Sequence, residues 1–261
     1  MYTIATLEDL RRHLKLGDED RGSDEHLLRA LGEASHLIES ATARRYCPRV
    51  ETLEISPEEP NPRSLLLPDD LLELRAVRDD SGEIDLARIR IFPGDRDEPA
   101  FLLLYKAGAV FRTGNDGTNV VSVTGVWGWH NRWTSAWRDS GDRVSGNALS
   151  ANSTLIGVKN SDGADADGLR PRFHVGHLLR IDGEYLRVTG IDPKANQLTV
   201  LRGVGGARAS GHRQNAKIET YAPTPSIRDL TVRYAEQLIK SAGPLELEST
   251  SMLRRMRRVT A

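Results

Sequence analysis

The chain has 261 residues, of which 38% are hydrophobic and 28% are charged, and its formal net charge is −1. This composition is that of a globular protein with one large or two small domains, and it excludes a disordered chain, a collagen-like repeat and a uniformly basic nucleic-acid binder. The single cysteine, Cys47, excludes an intrachain disulfide and a multi-cysteine zinc site. No apolar run reaches the roughly 18 residues that a membrane span needs, and the N-terminus does not have the pattern of a secretory signal, so we expect synthesis in a cytoplasm.

Two helices are predicted in the first 46 residues. Thr6 and Asp9 form a T-x-x-D capping pattern ahead of apolar residues on one helical face. Ser23 is the predicted cap of the second helix, whose apolar stripe runs from Leu27 to Ala41. Because such a stripe has to be buried, we expect this helix to pack against other helices.

Residues 50 to 130 favour short strands and turns. Pro68-Asp69-Asp70 divides an apolar stretch into two pieces, 65–67 and 71–77, which we expect to be separate. Further strands are predicted at 88–92, 101–105 and 120–124.

The region from 138 to 172 is rich in Asp, Gly, Ser and Asn, which is typical of a linker. The region from 173 to 221 has the strongest β pattern in the chain. Asp182-Gly183 is a two-residue hairpin turn that pairs Leu179 with Leu186. This pairing predicts a small antiparallel module, a compact barrel or sandwich.

A last helix is predicted after Pro223 and Pro225, ending at Gly243-Pro244. The fold class that follows is α+β: a helical bundle built from the N- and C-terminal helices with short strands, plus an inserted small antiparallel β module. The predicted domains are a helical core at 1–137 and 222–243, an inserted linker and β module at 138–221, and a basic C-terminal tail at 244–261.

All four tryptophans lie within one segment of eleven residues: Trp127, Trp129, Trp133 and Trp137. Two interpretations stay open, a local aromatic core and a subunit or partner interface, because tryptophan is favoured at both. A stacking platform for sugars or bases is a third interpretation.

The C-terminal tail carries four arginines around Met256, namely Arg254, Arg255, Arg257 and Arg258. We interpret this tail as a segment docked on a neighbouring subunit or partner. The alternatives are a frayed terminus and a nucleic-acid-binding arm.

No group of residues indicates catalysis, and we predict no enzymatic activity, no cofactor and no metal. His174 and His177 are three residues apart, so on a strand they point to opposite faces and do not converge with His212 on a metal. Asp182 and Glu184 flank a hairpin turn rather than a cleft, which argues against a pair of acid–base carboxylates.

Two segments, TLEDLRRHLKL at 6–16 and DEHLLRALGEASHLIESATARRYCP at 24–48, resemble the N-terminal signature of tailed-phage head–tail connector proteins, also called adaptor or head-completion proteins. VVSVTGVWGW at 120–129 is similar to the late strand of that family, and PTPSIRDLTVRYAEQLIK at 223–240 to its following helix. The resemblance covers roughly residues 1–130 and 221–242. Typical members lack the intervening segment of about 90 residues, which is similar to a β segment that recurs in phage virion proteins.

The resemblance implies a structural virion protein that forms a homo-oligomeric ring, commonly twelve-fold, beneath the portal protein. Such a ring extends the DNA channel without sequence-specific contact and docks the tail or a stopper protein. The C-terminal segment of such proteins embraces the portal, which here implies apolar contacts from Met252, Leu253 and Met256 and charge anchors from Arg254, Arg255, Arg257 and Arg258. Two alternatives are a nucleic-acid-binding module that uses the tail and the tryptophans, and a carbohydrate-binding virion protein that acts through the β module.

Overall fold

The computed structural model describes residues 3–17, 21–57, 62–95, 97–114, 119–165, 168 and 170–241. The chain divides into two compact units, one made of residues 1–43 and 137–261 and the other of residues 44–136. The domain boundaries predicted from the sequence stay a prediction, because compactness alone does not define an inserted domain. Within the described residues, no helix is long and apolar enough to cross a membrane.

The unit of residues 44–136 is built on an antiparallel sheet with the strand order β1-β6-β2-β5-β4, and β3 pairs with β2. Its strands are β1 (Arg49–Ile55), β2 (Ser64–Asp79), β3 (Gly82–Ile84), β4 (Ile89–Phe92), β5 (Ala100–Tyr105) and β6 (Val121–Trp127). One face of the sheet buries a core that includes Leu65, Val77, Leu103, Val123 and Trp127.

The strand β2 is continuous through Pro68-Asp69-Asp70, where the sequence predicted a break. The register of β2 against β5 shifts between Leu66 and Leu71, so the proline lies in a bulge where no ladder hydrogen bond is required of it. Beyond the bulge, β2 pairs with β6. A Cβ atom on Gly125 of β6 would lie 2.6 Å from the Glu73 carbonyl oxygen, so this close pairing requires glycine there.

In the other unit, α1 (Leu7–His13), α2 (Asp24–Thr42) and α3 (Pro225–Lys240) pack together. Their shared core, which we call the helix layer, includes Leu10, Leu31, Ala34 and Ala235. The predicted capping box of Thr6 and Asp9 is confirmed. The helix α2 begins after the predicted cap Ser23 and ends at Thr42, where the C-cap residue Ala43 adopts a left-handed conformation (φ 53°).

The same unit contains a second antiparallel sheet, with the strand order β7-β12-β9-β10-β11-β8. Its strands are β7 (Trp137–Arg143), β8 (Leu155–Gly157), β9 (Leu178–Ile181), β10 (Glu184–Asp192), β11 (Gln197–Leu201) and β12 (Lys217–Tyr221). The predicted hairpin is confirmed, because Leu179 pairs with Leu186 and Ile181 with Glu184.

The predicted fold class, a helical bundle with a small inserted β module, is wrong. Among the described residues, strands contain more residues than helices do, and they form two six-stranded sheets alongside three α-helices. One reason is that the polar segment interpreted as linker contributes β7 and β8. Ser140 of β7 is fully buried and donates a hydrogen bond to the carbonyl oxygen of Ile218 (2.7 Å). The polar residues of this segment are therefore not all exposed to solvent, as they would be in a linker. A second reason is that β1 has no clear apolar alternation and was not predicted.

Candidate interaction site

Trp127 belongs to the core of the unit of residues 44–136. Its side chain is 0% exposed, and its Nε1–H donates a hydrogen bond to the Glu51 carbonyl oxygen (3.0 Å). Assignment of Trp127 to a subunit interface is therefore corrected, because a residue enclosed in this way cannot contact a partner. Its indole supports the sheet face formed by β1 and β6.

Trp129 and Trp133 lie in the same unit and are half-buried. The Trp129 ring meets the Tyr46 ring edge-on at 5.6 Å, with the Arg44 guanidinium 5.3 Å from the indole centroid. The Trp133 ring lies 6.5 Å from the His130 ring. Their role in a subunit interface stays a prediction.

Trp137 belongs to the other unit, at the start of β7. Its ring stacks on Tyr185 at 5.1 Å, and the Arg180 guanidinium lies 4.6 Å from the indole centroid. The four tryptophans lie within eleven residues of one another in the sequence, but they are divided between the two units. A role of Trp137 in a subunit interface likewise stays a prediction.

The residues predicted to bind the portal lie outside the described residues: Met252, Leu253, Arg254, Arg255, Met256, Arg257 and Arg258.

His174 and His177 converge, contrary to the expectation from a strand. They lie in a turn ahead of β9, and their rings stack at 4.3 Å. Nδ1 of His174 is 2.8 Å from the Thr6 hydroxyl, and its Nε2 is 2.8 Å from the Pro171 carbonyl oxygen. Burial lowers the pKa of His177 well below its usual value, an effect that His174 and Arg12 increase, and burial is also the main cause of the lowered pKa of His174.

The histidine pair is therefore neutral near pH 7 and connects the start of α1 to the sheet of the same unit. Across the part of the chain that the structure describes, no group of three or more His, Cys, Asp or Glu side chains is arranged to hold a metal. Sequence reasoning missed the stacking because it depended on the assumption of a strand at 174–177.

Glu184 is the centre of a buried polar network. Its carboxylate accepts hydrogen bonds from Nε and Nη2 of Arg202 (2.7 and 2.8 Å) and from the backbone N–H groups of Gly203 (3.0 Å) and Ser210 (2.9 Å). Nε2 of His212 lies 2.9 Å from the same carboxylate. Burial alone raises the pKa of Glu184, but these hydrogen bonds outweigh it and lower the pKa to about 2.

This network fixes the hairpin turn to the loop that follows β11. Nδ1 of His212 is 2.7 Å from Oδ2 of Asp182, so the imidazole bridges the two carboxylates that flank the turn. Since Glu184 is fully enclosed and satisfied by its own chain, it cannot reach a substrate. The geometry gives no support to a hydrolytic or carbohydrate-binding role for this pair.

A cavity of about 310 Å³ lies in the unit that contains the helix layer. We call it the α2 cavity, because the first turns of α2 form one wall and the second sheet forms the other. Its lining residues are Thr3, Glu25, Leu28, Arg29, Val175, Gly176, Arg187, Val188, Thr189 and Leu201. Sequence reasoning missed it because its walls come from segments more than 100 residues apart.

Comparisons with known proteins add one structural similarity. No protein-family model matches the chain, and no curated protein matches it. One solved structure, the neck of an empty gene transfer agent (GTA) particle computed with C6 symmetry, is similar to 49% of this chain over 67% of its own length, with 24% identity and a TM-score of 0.35. A similarity at this level does not identify a function.

Proposed function

We propose that this protein is a structural, non-catalytic component of a phage-like particle, and more specifically a head–tail adaptor. In this role it forms a ring beneath the portal protein, extends the DNA channel and docks the tail or a stopper protein. The proposal applies to the assembled particle, after synthesis in the host cytoplasm.

The observation that carries the proposal is the packing of the terminal helices. The two N-terminal segments and the C-terminal segment that resemble connector proteins form α1, α2 and α3, which share one core although about 180 residues separate α2 from α3. Leu10 and Leu31 from the N-terminal side and Ala235 from the C-terminal side are each 0% exposed. This supports the proposal because the resembling segments meet in space, as parts of one connector core have to.

The charge of the chain is compatible with a DNA channel. With 36 basic and 37 acidic side chains, the chain does not have the excess of cations that grips phosphates. We propose that DNA passes through the ring without sequence-specific contact, that Trp129, Trp133 and Trp137 contribute to contacts between subunits, and that residues 252–258 bind the portal.

Portal binding tests the tail assignment directly. We expect the full chain to bind purified portal protein from the same particle, and a chain ending at Gly243 to fold with unchanged circular dichroism but bind at least about 100-fold more weakly, a loss of about 2.7 kcal/mol. Replacement of Arg254, Arg255, Arg257 and Arg258 by lysine is the matched control for charge and should retain most of the binding.

Two results would count against this account. Unchanged portal binding by the shortened chain would remove the role of the tail, and failure of the full chain to bind portal or to form rings on it would remove the adaptor role itself.

A further inference from the structure

The α2 cavity has the size and the apolar lining of a small-molecule site. Leu28 of α2, Val175 of the turn ahead of β9 and Leu201 of β11 line it. Leu28 and Val175 are half-buried and Leu201 is 50% exposed, so a ligand can reach these side chains from solvent. The volume of about 310 Å³ is at the lower end of the range for small-molecule sites, about 300 to 1,000 Å³. At about 30 Å³ for each water-sized group, the cavity holds about ten such groups.

Two buried polar side chains also line the cavity. Thr3 is 6% exposed and Arg187 is 9% exposed. Oγ1 of Thr3 has no hydrogen-bond partner among the described residues. A buried hydroxyl without a partner destabilises the fold, and a ligand that forms a hydrogen bond with it removes this cost. Thr3 therefore indicates a ligand that carries a hydrogen-bonding group.

These two polar groups both adjoin Gly176, which lines the cavity as well. Nη1 of Arg187 donates a hydrogen bond to the Gly176 carbonyl oxygen (3.4 Å). A Cβ atom on Gly176 would lie 3.1 Å from Oγ1 of Thr3, so the hydroxyl lies directly against this glycine. The guanidinium and the hydroxyl together provide N–H and O–H donors next to a positive charge. This combination suits a carboxylate, because hydrogen bonds between charged groups are the strong ones.

The two charged residues at the exposed part of the lining, Glu25 and Arg29, do not select the charge of a ligand. Their side chains are 91% and 65% exposed, and they pair with each other at 3.2 Å. Their opposite charges offset one another, and solvent screens both. The charge of Arg187 is buried, where screening is much weaker, so Arg187 decides which ligand charge the cavity favours.

We propose that the α2 cavity binds a small aliphatic carboxylate of up to about ten non-hydrogen atoms. The carboxylate lies at Thr3 and Arg187, and the aliphatic chain extends along Leu28, Val175 and Leu201. The proposal goes beyond the adaptor function and does not depend on it, since every residue that it uses belongs to one compact unit of one chain.

Methyl NMR of the full chain, titrated with hexanoate at pH 7, tests the proposal. We expect saturable shift changes at the methyl groups of Leu28, Val175 and Leu201, with half-saturation at millimolar concentration, as for other ligands of this size. Two control ligands separate the contributions of charge and chain. Because 1-hexanol has the chain without the charge and acetate has the charge without the chain, each should bind at least about ten times more weakly.

Two variants test where the ligand lies. Thr3→Val keeps the shape of the side chain and removes the hydroxyl, so we expect hexanoate to bind at least about ten times more weakly, without loss of thermal stability. Thr154→Val is the matched control at an exposed threonine and should bind hexanoate as the natural chain does. Leu28→Trp fills the cavity from α2 and should abolish binding, with circular dichroism as the check on folding.

The proposal is supported if hexanoate shifts the three lining side chains and binds more tightly than 1-hexanol. Equal binding of hexanoate and 1-hexanol, shift changes only at other residues, or no shift change at all would overturn it. Unchanged binding by a folded Leu28→Trp variant would do the same. If Leu28→Trp does not fold, Thr3→Val decides the outcome, and unchanged hexanoate binding by that variant counts against the proposal.

Discussion

At the scale of single residues, burial decides how much a carboxylate contributes to the free energy of unfolding. Glu184 and Asp139 both have a pKa lowered to about 2. For Glu184, burial raises the pKa, but hydrogen bonds outweigh burial; their donors are Arg202, Ser210, His212 and Gly203. For Asp139, the main cause is its hydrogen bonds with Arg143. The Glu184 side chain is 0% exposed, whereas the Asp139 side chain is 39% exposed. Solvent therefore screens the Asp139 pair, and only Glu184 is expected to matter for folding.

We predict that Glu184→Gln lowers the free energy of unfolding by about 3 to 5 kcal/mol at pH 7, because it leaves the buried Arg202 without its charge partner. Asp139→Asn is the matched control and should cost less than about 1 kcal/mol. A folded pKa below the unfolded value means that the stability contributed by Glu184 is complete above about pH 4.5 and is lost as the pH falls towards about 2.

Urea unfolding at pH 7 and at pH 3 measures both effects. The difference in stability between the natural chain and the Glu184→Gln variant should shrink at the lower pH. Equal losses for the two substitutions, or a difference that does not depend on pH, would show that the Glu184 network does not stabilise the fold as its geometry indicates.

Sequence patterns predicted the hairpin at Asp182-Gly183 but not the network around it. Turn residues and alternation act over a few positions, and they gave the correct pairing of Leu179 with Leu186. The partners of Glu184 lie 18 and 28 residues away, at Arg202 and His212, and local patterns carry no information about such contacts. The same reasoning applies to the α2 cavity, whose walls come from distant segments.

At the scale of secondary-structure elements, the helices were predicted better than the strands. The apolar stripes of α2 and α3 repeat over several turns and identify the buried face directly. In contrast, β7 carries Ser140 and Asp142 as buried residues, and Asp142 accepts hydrogen bonds from the backbone N–H groups of Lys159 and Asn160 (both 2.9 Å). A strand stabilised by polar contacts has the composition of a loop, which explains the error in fold class.

The helix layer gives a prediction at this scale. Ala235→Asp puts an unpaired carboxylate among Leu10, Leu31 and Ala34, so we expect it to cost more than about 3 kcal/mol and to expose the amides of α3 to hydrogen exchange. Gln237→Asp adds the same charge at an exposed position of the same helix and should leave exchange unchanged. Slow amide hydrogen exchange throughout α3 in both variants would mean that the stability of α3 does not depend on packing in this core.

At the scale of the whole molecule, each of the three buried cores lies within one compact unit. One unit is built on the sheet of β1 to β6, and the other combines the helix layer with the sheet of β7 to β12. The resemblance to connector proteins extends over both units, because it includes α1, α2 and α3 as well as β6. The charge balance and the shared core of the terminal helices support the proposed role as a head–tail adaptor. The position of the protein in an assembled particle tests that role.

The most direct test is therefore to locate this chain in particles that contain it. Electron microscopy of particles in which the N-terminus carries a gold-binding tag measures the position of the label. The adaptor account predicts label at a single vertex, between the portal and the tail. Label distributed over the capsid shell or along the tail tube, or particles that assemble complete necks without this chain, would contradict it.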